Sequence, residues 1–479
     1  MSKNEKRSGL SRRQLLKRGA VGGAAIAGAG SLSGSALAAG SRSGKQEAIT
    51  LRVLSLGVEW PNPAVQKQAE KDLGVKFEIT AVGSVEQTQK AVTAPESFDI
   101  LGGYHQQTMQ IFPTGNLQPI EISKIKAWKD IYPIFKQGKL NPASTACSYG
   151  AGDAPFRVLY VDSTGKYKPS VASTAANIKA KNKIVGWIDE KTGKPAGGLA
   201  EPQYTVGPPA HFNMDSMGYN SEVIQLAADK VSWGQLLNPK WKGRVSILND
   251  PTIGMIDAGN AASALGLMKF KDIGNMSKAE IDTLMKIMSK YKKQGQFRAF
   301  WSTFNESVNL MASKEVVIES MWSPAVALLT TQGVPVKFAA PPEGFRGWAS
   351  ATGISSKVTD PAKLQACYDY INWTHGGFLG AQIMRQGYYV GNGAKLNDWI
   401  ASPAGKAAGF SSAEYDYWYN GKPAATDLPG ITGQVGDVKK GSVRDGGSFT
   451  KRACRYTAWN SFMVENEFQT TRWNDFLSA

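Results

Sequence analysis

The chain has 479 residues, 42% of them hydrophobic, and a formal net charge of +16. This length exceeds what one hydrophobic core organises and predicts at least two lobes. Thirteen tryptophans and the apolar content are typical of a packed globular protein and exclude a disordered one. The basic residues are scattered, with no cluster denser than 179–183 and no regularly interleaved aromatic residues, so we expect no nucleic acid partner.

The first 38 residues have the pattern of an export signal. Residues 11–17 (SRRQLLK) resemble the twin-arginine signal, which directs folded proteins across the bacterial inner membrane. Residues 19–38 are rich in alanine and glycine and end in Ala36–Ala38, a small-x-small cleavage pattern. We therefore predict a mature periplasmic chain of 441 residues that begins at Ala39. Loss of seven basic residues and one acid leaves it a formal charge of +10.

Three cysteines allow at most one disulfide in an oxidising compartment. Cys367 lies in the predicted helix Pro361–Thr374, where a small buried residue is expected. The pairing to test is therefore Cys147 with Cys454, although the sequence does not show that the two are close.

The mature N-terminal region alternates strands and helices. Alternating or apolar runs predict strands at Ile49–Ser55, Val75–Thr80 and Phe98–Leu101, with helices at Ala64–Leu73 and Val85–Ala94 between them. Short connections of this kind produce a parallel sheet with right-handed crossovers. Such sheets bind ligands at the carboxyl ends of their strands.

Lys166–Gln203 is rich in turn-forming residues and is interpreted as a surface elaboration, apart from a hairpin-like Lys183–Asp189. A second α/β block begins near Asn213, with Met217–Asn220 as the end of a strand. Trp233–Leu237 is expected to begin a helix, and further helices are predicted at Asp257–Leu265 and Lys278–Lys293. Val336–Ala339 is expected to lead back towards the first lobe. The C-terminal region is predicted to be helical, with loop-rich passages near 401–412 and 423–447. No segment after the signal is long and apolar enough to span a membrane. We predict a first lobe of 39–212 plus about 338–400, a second of 213–337 plus about 401–479, and a cleft and hinge between them.

Motifs of catalytic and cofactor sites are not found. The three histidines, His105, His211 and His375, form no paired ligand motif with each other or with cysteine. Neither a Gly-x-Gly-x-x-Gly dinucleotide fingerprint nor a Gly-x-Ser-x-Gly nucleophile elbow is present. We therefore expect no cofactor, no metal and no catalytic residue.

Several segments occur in a recognisable order. They are Met217–Asn220 (MGYN), Val231–Leu237 (VSWGQLL), Asn238–Val245 (NPKWKGRV), Leu248–Pro251 (LNDP), Phe297–Trp301, Glu315–Pro324, Gly347–Ser350, Ile371–Trp373 and Gly387–Tyr389. This series resembles the extracellular solute-binding proteins of ABC importers, and most nearly the spermidine/putrescine-binding family. The resemblance spans roughly 49–389 and implies two α/β lobes that close on a ligand about a hinge.

In that family, aromatic rings pack along the ligand while carboxylates and hydroxyls bind its ammonium groups. The resemblance implies that the ligand-binding residues are Glu59, Trp60, Tyr104, Gln106, Asp250, Trp322, Trp348, Ser350 and Tyr388. Glu319 is a second acidic candidate, and His105 and Asp215 are weaker ones. Each tryptophan could instead be a core residue, and Asp250, which precedes a proline and a helix, could be a helix cap.

Two positions depart from the polyamine pattern. Ser350 and Ile253 stand where the resemblance leads us to expect acids. A multiply charged amine would then be under-compensated, since an unpaired buried charge is costly. The basic mature chain would also slow the approach of a polycation.

The prediction is therefore the solute-binding component of an ABC importer, a monomer with permease and ATPase partners. Its ligand is a small organic solute, with a polyamine or another amine favoured. A monoamine, a quaternary ammonium compound and a neutral or acidic metabolite stay open. The alternatives are a cofactor-dependent or hydrolytic periplasmic enzyme and a ligand-binding sensor subunit.

Overall fold

The structure is a computed structural model that describes residues 48–138, 140, 150–152, 154–161, 188–189, 194–195 and 203–479. The predicted export signal, Cys147 and nearly all of 166–203 lie outside the described residues. Cys454 is disulfide-bonded, while Cys367 is a buried free thiol whose pKa burial raises to about 12. Within these ranges, every helix is too short or too polar to cross a membrane.

The described strands fall into one large sheet and three small ones. In chain order they are β1 (Thr50–Ser55), β2 (Lys76–Ala81), β3 (Ile100–Tyr104), β4 (Leu117–Gln118), β5 (Ile120–Glu121), β6 (Tyr160–Val161), β7 (Ile188–Asp189), β8 (Lys194–Pro195), β9 (Tyr204–Thr205), β10 (His211–Asn220), β11 (Val245–Leu248), β12 (Phe297–Trp301), β13 (Ile318–Met321), β14 (Val336–Phe338), β15 (Phe345–Ser355), β16 (Tyr389–Val390), β17 (Leu428–Pro429), β18 (Val435–Val438) and β19 (Tyr456–Trp459).

The α-helices pack around the large sheet. They are α1 (Pro63–Leu73), α2 (Ser84–Thr93), α3 (His105–Ile111), α4 (Pro133–Gln137), α5 (Pro155–Val158), α6 (Gly254–Ala264), α7 (Lys278–Lys293), α8 (Phe304–Ala312), α9 (Ser323–Thr331), α10 (Pro361–Thr374), α11 (Gly377–Arg385), α12 (Gly393–Ala401), α13 (Pro403–Ala407), α14 (Ser412–Trp418), α15 (Phe449–Arg452) and α16 (Asn466–Ser478).

Local sequence explains the clearest helix boundaries. The side chain of Asn62 accepts a hydrogen bond at the start of α1, and Gly74 ends that helix with a left-handed φ of 67°. Helix α7 begins with a capping box between Ser277 and Glu280. The side chain of Asp360 caps α10 before its first proline.

The large sheet consists of two groups of strands joined by two long strands. The order β12-β11-β13-β10-β15-β3-β1-β2 places β10 and β15 side by side in the middle, antiparallel to each other. Strands β1, β2 and β3 run parallel on one side, as do β11, β12 and β13 on the other. The two groups are thus the sheets of a first and a second lobe, and β10 and β15 connect them.

Both long strands change partners midway. Residues Phe212–Asp215 of β10 pair with β15, whereas Ser216–Tyr219 pair with β13. Residues Arg346–Ala349 of β15 pair with β10, whereas Ser350–Ile354 pair with β3. The chain therefore crosses between the groups at Asp215–Ser216 and at Ala349–Ser350.

Several predicted elements differ in detail from the observed ones. Val336–Ala339 does not lead back to the first group, because β14 pairs with Gly218–Asn220 of β10 and the returning strand is β15. Trp233–Leu237, expected to begin a helix, is a short 3₁₀ helix. Residues 188–189 and 194–195 pair as antiparallel strands, and residues 190–193 lie outside the described residues.

The two predicted loop-rich passages of the C-terminal region are also more ordered than expected. The first contains α13, and the second contains the two-stranded β17–β18 sheet. Of the helices after α12, α16 packs against α7 of the second group. The predicted lobe bounds themselves stay a prediction.

Candidate functional site

The two crossing strands present a polar face. His211, Asn213 and Asp215 alternate with apolar residues along β10, so they lie on one face of the strand. Asn213 lies opposite Trp348 of β15, and Asp215 lies opposite Arg346. These residues are all buried. The place where the chain crosses between the lobes therefore contains an acid, a base, an amide and an indole side by side.

Asp215 lies at the centre of this face. Its Oδ2 accepts a hydrogen bond of 2.6 Å from Nε1 of Trp348, and its Oδ1 accepts one of 2.7 Å from Nδ2 of Asn213. The same amide donates to Oγ of Ser323 at 2.7 Å, at the start of α9. Burial raises the pKa of Asp215 to about 6, against the opposing charge of Arg346 and the two hydrogen bonds.

Aromatic rings surround the Trp348 indole. The ring centroids of Tyr104, Tyr388 and His211 lie 5.3, 5.1 and 5.6 Å from that of Trp348, each in an edge-to-face arrangement. Trp348, Tyr104 and Tyr388 are only 3, 7 and 3% exposed. Residues from β3, β10, β15 and the turn after α11 thus form one ring cluster beside Asp215.

Tyr104 is held at the carboxyl end of β3 by the next helix. Oε1 of Gln107 accepts a 2.6 Å hydrogen bond from the backbone N–H of Tyr104, and Nε2 of Gln107 donates to the carbonyl of Ser84. A Cβ at position 103 would lie 2.8 Å from Oε1 of Gln107, so a larger residue there would displace the Gln107 side chain that holds Tyr104. The pKa of Tyr104 is raised mainly by burial. The negative charges of Asp215, of Asp250 and, more weakly, of Glu59 raise it further.

Glu59 extends the polar face towards β1. Its Oε2 accepts a 3.0 Å hydrogen bond from Oγ of Ser55, and its Oε1 lies 3.7 Å from Nε2 of His211. Burial lowers the pKa of His211 even though Glu59 opposes that shift. His211 is therefore neutral at pH 7 and leaves the Glu59 carboxylate without a full positive charge beside it.

Arg346 is a buried cation with its own partners. Nε of Arg346 donates to Oδ1 of Asp257 at 2.6 Å, and Nη1 donates to Oδ1 of Asn460 at 2.7 Å. Burial lowers the pKa of Arg346, but the charges of Asp257 and Asp215 outweigh it, and the pKa lies above its usual value. Arg346 forms its ion pair with Asp257, and among the described residues no cation forms an ion pair with Asp215, although the Arg346 charge acts on it from the neighbouring strand.

Asp250 joins the two lobes directly. Its Oδ2 accepts a 2.6 Å hydrogen bond from Oγ of Ser84, the first residue of α2 in the first lobe. Its Oδ1 accepts from the N–H and the hydroxyl of Thr252, both at 2.7 Å. Asp250 thus orders the turn before α6 and also binds across the cleft, so both of its oxygens are engaged.

Of the other predicted ligand residues, Trp60 and Trp322 lie apart from this cluster, and Ser350 borders it. Trp60 stacks on Tyr370 at 5.8 Å and packs against Phe77 in the core of the first lobe. Trp322 is half-buried and packs edge-to-face on Trp301. The Ser350 hydroxyl accepts from the backbone N–H groups of Ala210 and His211 at the start of β10.

Three polar candidates are buried without a place in the ring cluster. Oε1 of Glu319 accepts a 2.6 Å hydrogen bond from Ser307 of α8, and burial raises its pKa well above the usual value. The pKa of His105 is lowered to about 4 by burial. Gln106 is buried, and its Nε2 has no acceptor among the described residues.

The ring cluster is closely packed in this structure. Two cavities, of about 360 and 550 Å³, occur elsewhere, and none of the predicted ligand residues lines either of them. The residues of the ring cluster are buried, and the two lobes are in contact through Ser84 and Asp250. Among the described residues, no group of three or more histidine, cysteine and acidic side chains has the arrangement of a metal site.

Sequence reasoning did not identify Asn213, His211, Arg346 and Asp257 as part of the site. The alternation of polar and apolar residues in His211–Asp215 was a usable signal for a strand with one polar face. Arg346 adjoins the motif Gly347–Ser350, where a charged residue in an apolar strand could have been noticed. The pairing with Asp257, 89 residues away, has no local signal.

Comparison with known proteins gives the fold and the family. Residues 64–376 match the sequence model of a family described as bacterial extracellular solute-binding protein. No curated protein matches the sequence. The two-lobed fold is shared with solved structures at 11–14% identity.

For three of these structures, the similarity extends over nearly the whole length of the solved chain. A putative spermidine/putrescine ABC transporter protein from Listeria monocytogenes has a TM-score of 0.52 at 14% identity, over 90% of this chain and 99% of that one. An ABC transporter substrate-binding protein from Bradyrhizobium japonicum USDA 110 has a TM-score of 0.54 at 13% identity, with the same coverage. A spermidine/putrescine ABC transporter substrate-binding protein from Streptococcus pneumoniae has a TM-score of 0.52 at 11% identity, over 90 and 98%.

The predicted fold class and the predicted resemblance are both confirmed by these matches. Because the family match covers well over half of the chain, it also establishes solute capture as the general function. The chain belongs to the bacterial extracellular solute-binding proteins.

Proposed function

We propose that this protein captures a small organic amine between its lobes, on the polar face of β10 and β15. The observation that carries the proposal is Asp215, a buried carboxylate that contacts the Trp348 indole and forms no ion pair with any residue that the structure describes. An ammonium group bound there would supply the missing positive charge. Ring faces of Trp348, Tyr104 and Tyr388 would add a cation–π attraction of about 0.5–2 kcal/mol.

The charges favour a ligand with one ammonium group. Of the acids near Tyr104, Asp250 already binds Ser84 and Thr252, and Glu59 binds Ser55 beside the neutral His211. Asp215 is the one of these acids that is hydrogen-bonded to the Trp348 indole, so an ammonium group packed on the rings would lie beside it. A second buried ammonium would find a weaker partner and would cost free energy of desolvation. We therefore place a monoamine or quaternary ammonium compound ahead of a polyamine.

In this proposal the lobes close on the ligand, and no chemical reaction takes place. The packed ring cluster requires the lobes to part before a ligand enters, with β10 and β15 as the hinge. The Ser84–Asp250 hydrogen bond would re-form on closure. The closed form would deliver the solute to an ABC permease driven by a separate ATPase, from a monomeric binding protein in the periplasm. The predicted export signal and lobe bounds are part of this proposal.

The first experiment is a thermal-shift screen of the mature chain with n-butylamine, choline, putrescine, spermidine, acetate and L-valine. We expect the monovalent amine or choline to raise the melting temperature most, because binding to the folded state stabilises it. Calorimetry then gives the affinity of the best amine. Stabilisation by acetate alone, with no response to any amine, would contradict the proposal.

A pair of isosteric variants tests the site. Asp215→Asn removes the carboxylate, and we expect the affinity for the amine to fall about 10- to 100-fold, as for loss of a charged hydrogen bond. Glu319→Gln is the matched control, since Glu319 is an equally buried acid outside the ring cluster. Equal affinities in the two variants would remove Asp215 from the site.

Two further measurements test the transport role. The liganded protein, added to its reconstituted permease and ATPase, should increase the rate of ATP hydrolysis. The amine itself should be recovered chemically unchanged after long incubation with the protein. Conversion of the amine to a product would favour the enzymatic alternative.

A further inference from the structure

Residues 419–452, which we call the strap, form a loop that starts and ends on the first lobe. The backbone N–H of Phe449 donates to the carbonyl of Tyr419 at 2.7 Å and closes the base of this loop. Helix α14, which leads into the strap, packs on α11 and α12, and α11 packs on α10, which in turn packs on α1 and β1. The strap follows the residues 64–376 that match the family model, so its role lies outside what that match establishes.

The tip of the strap is the two-stranded sheet of β17 and β18, and it touches both lobes. Strand β17 packs against α14 of the first lobe, whereas β18 packs against α9, which follows β13 in the second lobe. Leu428 and Val438 of this small sheet are 3 and 8% exposed. The tip is therefore packed between the lobes rather than projecting into solvent.

Two neighbouring charged residues fix the strap to opposite lobes. Nη2 of the buried Arg444 donates to the carbonyl of Gly387 at 2.6 Å, and Nη1 donates to the carbonyl of Trp418, both on the first lobe. Oδ2 of Asp445 accepts a 2.8 Å hydrogen bond from the backbone N–H of Phe338 in β14. Because β14 pairs with the end of β10 beyond the crossing point, Asp445 binds the second lobe.

The end of the strap lies on the apolar face of the crossing strands. Phe449 packs edge-to-face on Phe212, with the ring centroids 5.9 Å apart. Nη2 of Arg452 donates to the carbonyl of Met214 in β10 at 3.0 Å, and Nη1 donates to the carbonyl of Asp445 at 2.8 Å. The strap thus joins the lobes without forming part of the polar face of β10.

We propose that the strap restrains the opening of the cleft, so that the lobes separate less in the unliganded protein than β10 and β15 alone would allow. This inference rests on the proposed movement of the lobes, but not on the identity of the ligand. Any opening that moves α9 away from α14 must pull β18 off one of these helices. It must also stretch the connection from Arg444 on one lobe to Asp445 on the other.

The bonds to the first lobe are expected to hold and those to the second lobe to yield. Burial lowers the pKa of Arg444 to about 10, so the guanidinium is charged at pH 7. It forms no ion pair with any residue that the structure describes, and its partners are the two carbonyls and the ring of Tyr389, 4.4 Å away. Withdrawing it would leave a buried cation without acceptors, which costs more than loss of the single bond from Phe338 to Asp445.

Distances between the lobes test the proposal on the mature, unliganded chain. Spin labels at Lys67→Cys in α1 and Lys286→Cys in α7, both exposed positions, report the separation by double electron–electron resonance. In this background Asp445→Ala removes one bond to the second lobe, and the ratio of closed to open molecules should fall about two- to tenfold. Asp360→Ala is the matched control, because that carboxylate accepts from the N–H of Lys363 within one lobe and its loss should leave the ratio unchanged.

Excision of the tip is the larger test. The N–H of Gly441 donates to the carbonyl of Ala424 at 2.8 Å, and the N–H of Ala424 donates to the carbonyl of Ser442 at 2.9 Å. An Asn-Gly turn can therefore replace residues 425–440 and keep both bonds. The mean label distance should lengthen more than in Asp445→Ala, because the contact of β18 with α9 is lost as well.

The results separate this proposal from the capture of an amine. Label distances in Asp445→Ala and in the excised chain that equal those of the parent overturn the proposal, and so does an equal lengthening in Asp360→Ala. If the excised chain does not fold, Asp445→Ala and its control decide alone. No ligand enters these comparisons, so a failure of the cleft to bind any amine would leave their outcome unchanged.

Discussion

The two faces of the crossing strands differ in composition and therefore in role. On one face, Asp215 and Trp348 form a buried polar cluster that holds unmatched charge. On the other face, Phe212 packs on Phe135 and Tyr389, and Gly347 leaves room for Tyr456 and Trp459. The same two strands thus carry the proposed binding face on one side and core packing on the other. Substitutions should separate the two roles.

The largest expected effect is a loss of stability on the polar face. Arg346→Met leaves Asp257 buried without its cation, and we expect the free energy of unfolding to fall by up to about 5 kcal/mol. Urea unfolding at pH 7 measures it. The double variant Arg346→Met with Asp257→Leu removes both charges and should recover most of the loss. A single variant as stable as the wild type would show that the pair is not buried in solution.

The apolar face gives the contrasting prediction. Phe212→Ala opens a cavity among Phe135, Tyr389 and Phe449, and should lower the free energy of unfolding by about 3 kcal/mol. Its affinity for the amine, measured by calorimetry below the unfolding transition, should equal that of the wild type. A changed ranking of amines in this variant would mean that the two faces are not independent.

The sequence predicted regular elements better than it predicted the site. Helices at Lys278–Lys293 and Pro361–Thr374 were predicted with the bounds that the structure has, and a capping box and a capping aspartate stabilise their starts. In β10, only Met217–Asn220 was predicted as strand. The alternation of polar and apolar residues at 211–215, which is also a strand signal, was not used.

The tryptophans show why the site itself was harder to predict. Trp60 and Trp348 both follow or lie within strands and both resemble ligand-stacking residues. Trp60 stacks in the core on Tyr370, which is 310 residues distant in the sequence. Trp348 is hydrogen-bonded to Asp215 of the candidate site, 133 residues distant. Contacts at such separations leave no local pattern in a single sequence.

The affinity for the amine should also depend on pH. Because the pKa of Asp215 in the closed protein is raised to about 6, protonation below pH 6 should remove the ammonium partner. The amine stays charged in this range, so its affinity should fall by up to tenfold per pH unit below 6 and be constant above it. Calorimetry from pH 5 to 8 measures this, with Asp215→Asn as the control that lacks the dependence.

The same titration affects stability with the opposite sign. Between its ordinary pKa of 3.8 and about 6, Asp215 holds a proton in the folded state that the unfolded state releases. Its contribution therefore stabilises the ligand-free protein progressively as pH falls from 7 towards 4. The unfolding free energy of the wild type minus that of Asp215→Asn should rise as the pH falls over this range; a decrease would contradict the raised pKa.

The smallest effect is expected at the contact between lobes. Ser84→Ala removes one hydrogen bond to Asp250 and should weaken amine binding by about 0.5–1.5 kcal/mol, or roughly two- to tenfold, because closure loses one partner. Thr88→Ser, on the same helix, is the control. Small-angle scattering should show a larger radius of gyration for unliganded Ser84→Ala than for the wild type. Identical affinity and dimensions would show that this contact does not favour the closed form.

The crystal structure of the protein with the amine identified by the screen tests the central claim most directly. We predict that the ammonium nitrogen lies about 2.7–3.2 Å from a carboxylate oxygen of Asp215, against the rings of Trp348 and Tyr388. Electron density for the amine at any place that leaves Asp215 in contact only with Trp348 and Asn213 would contradict it.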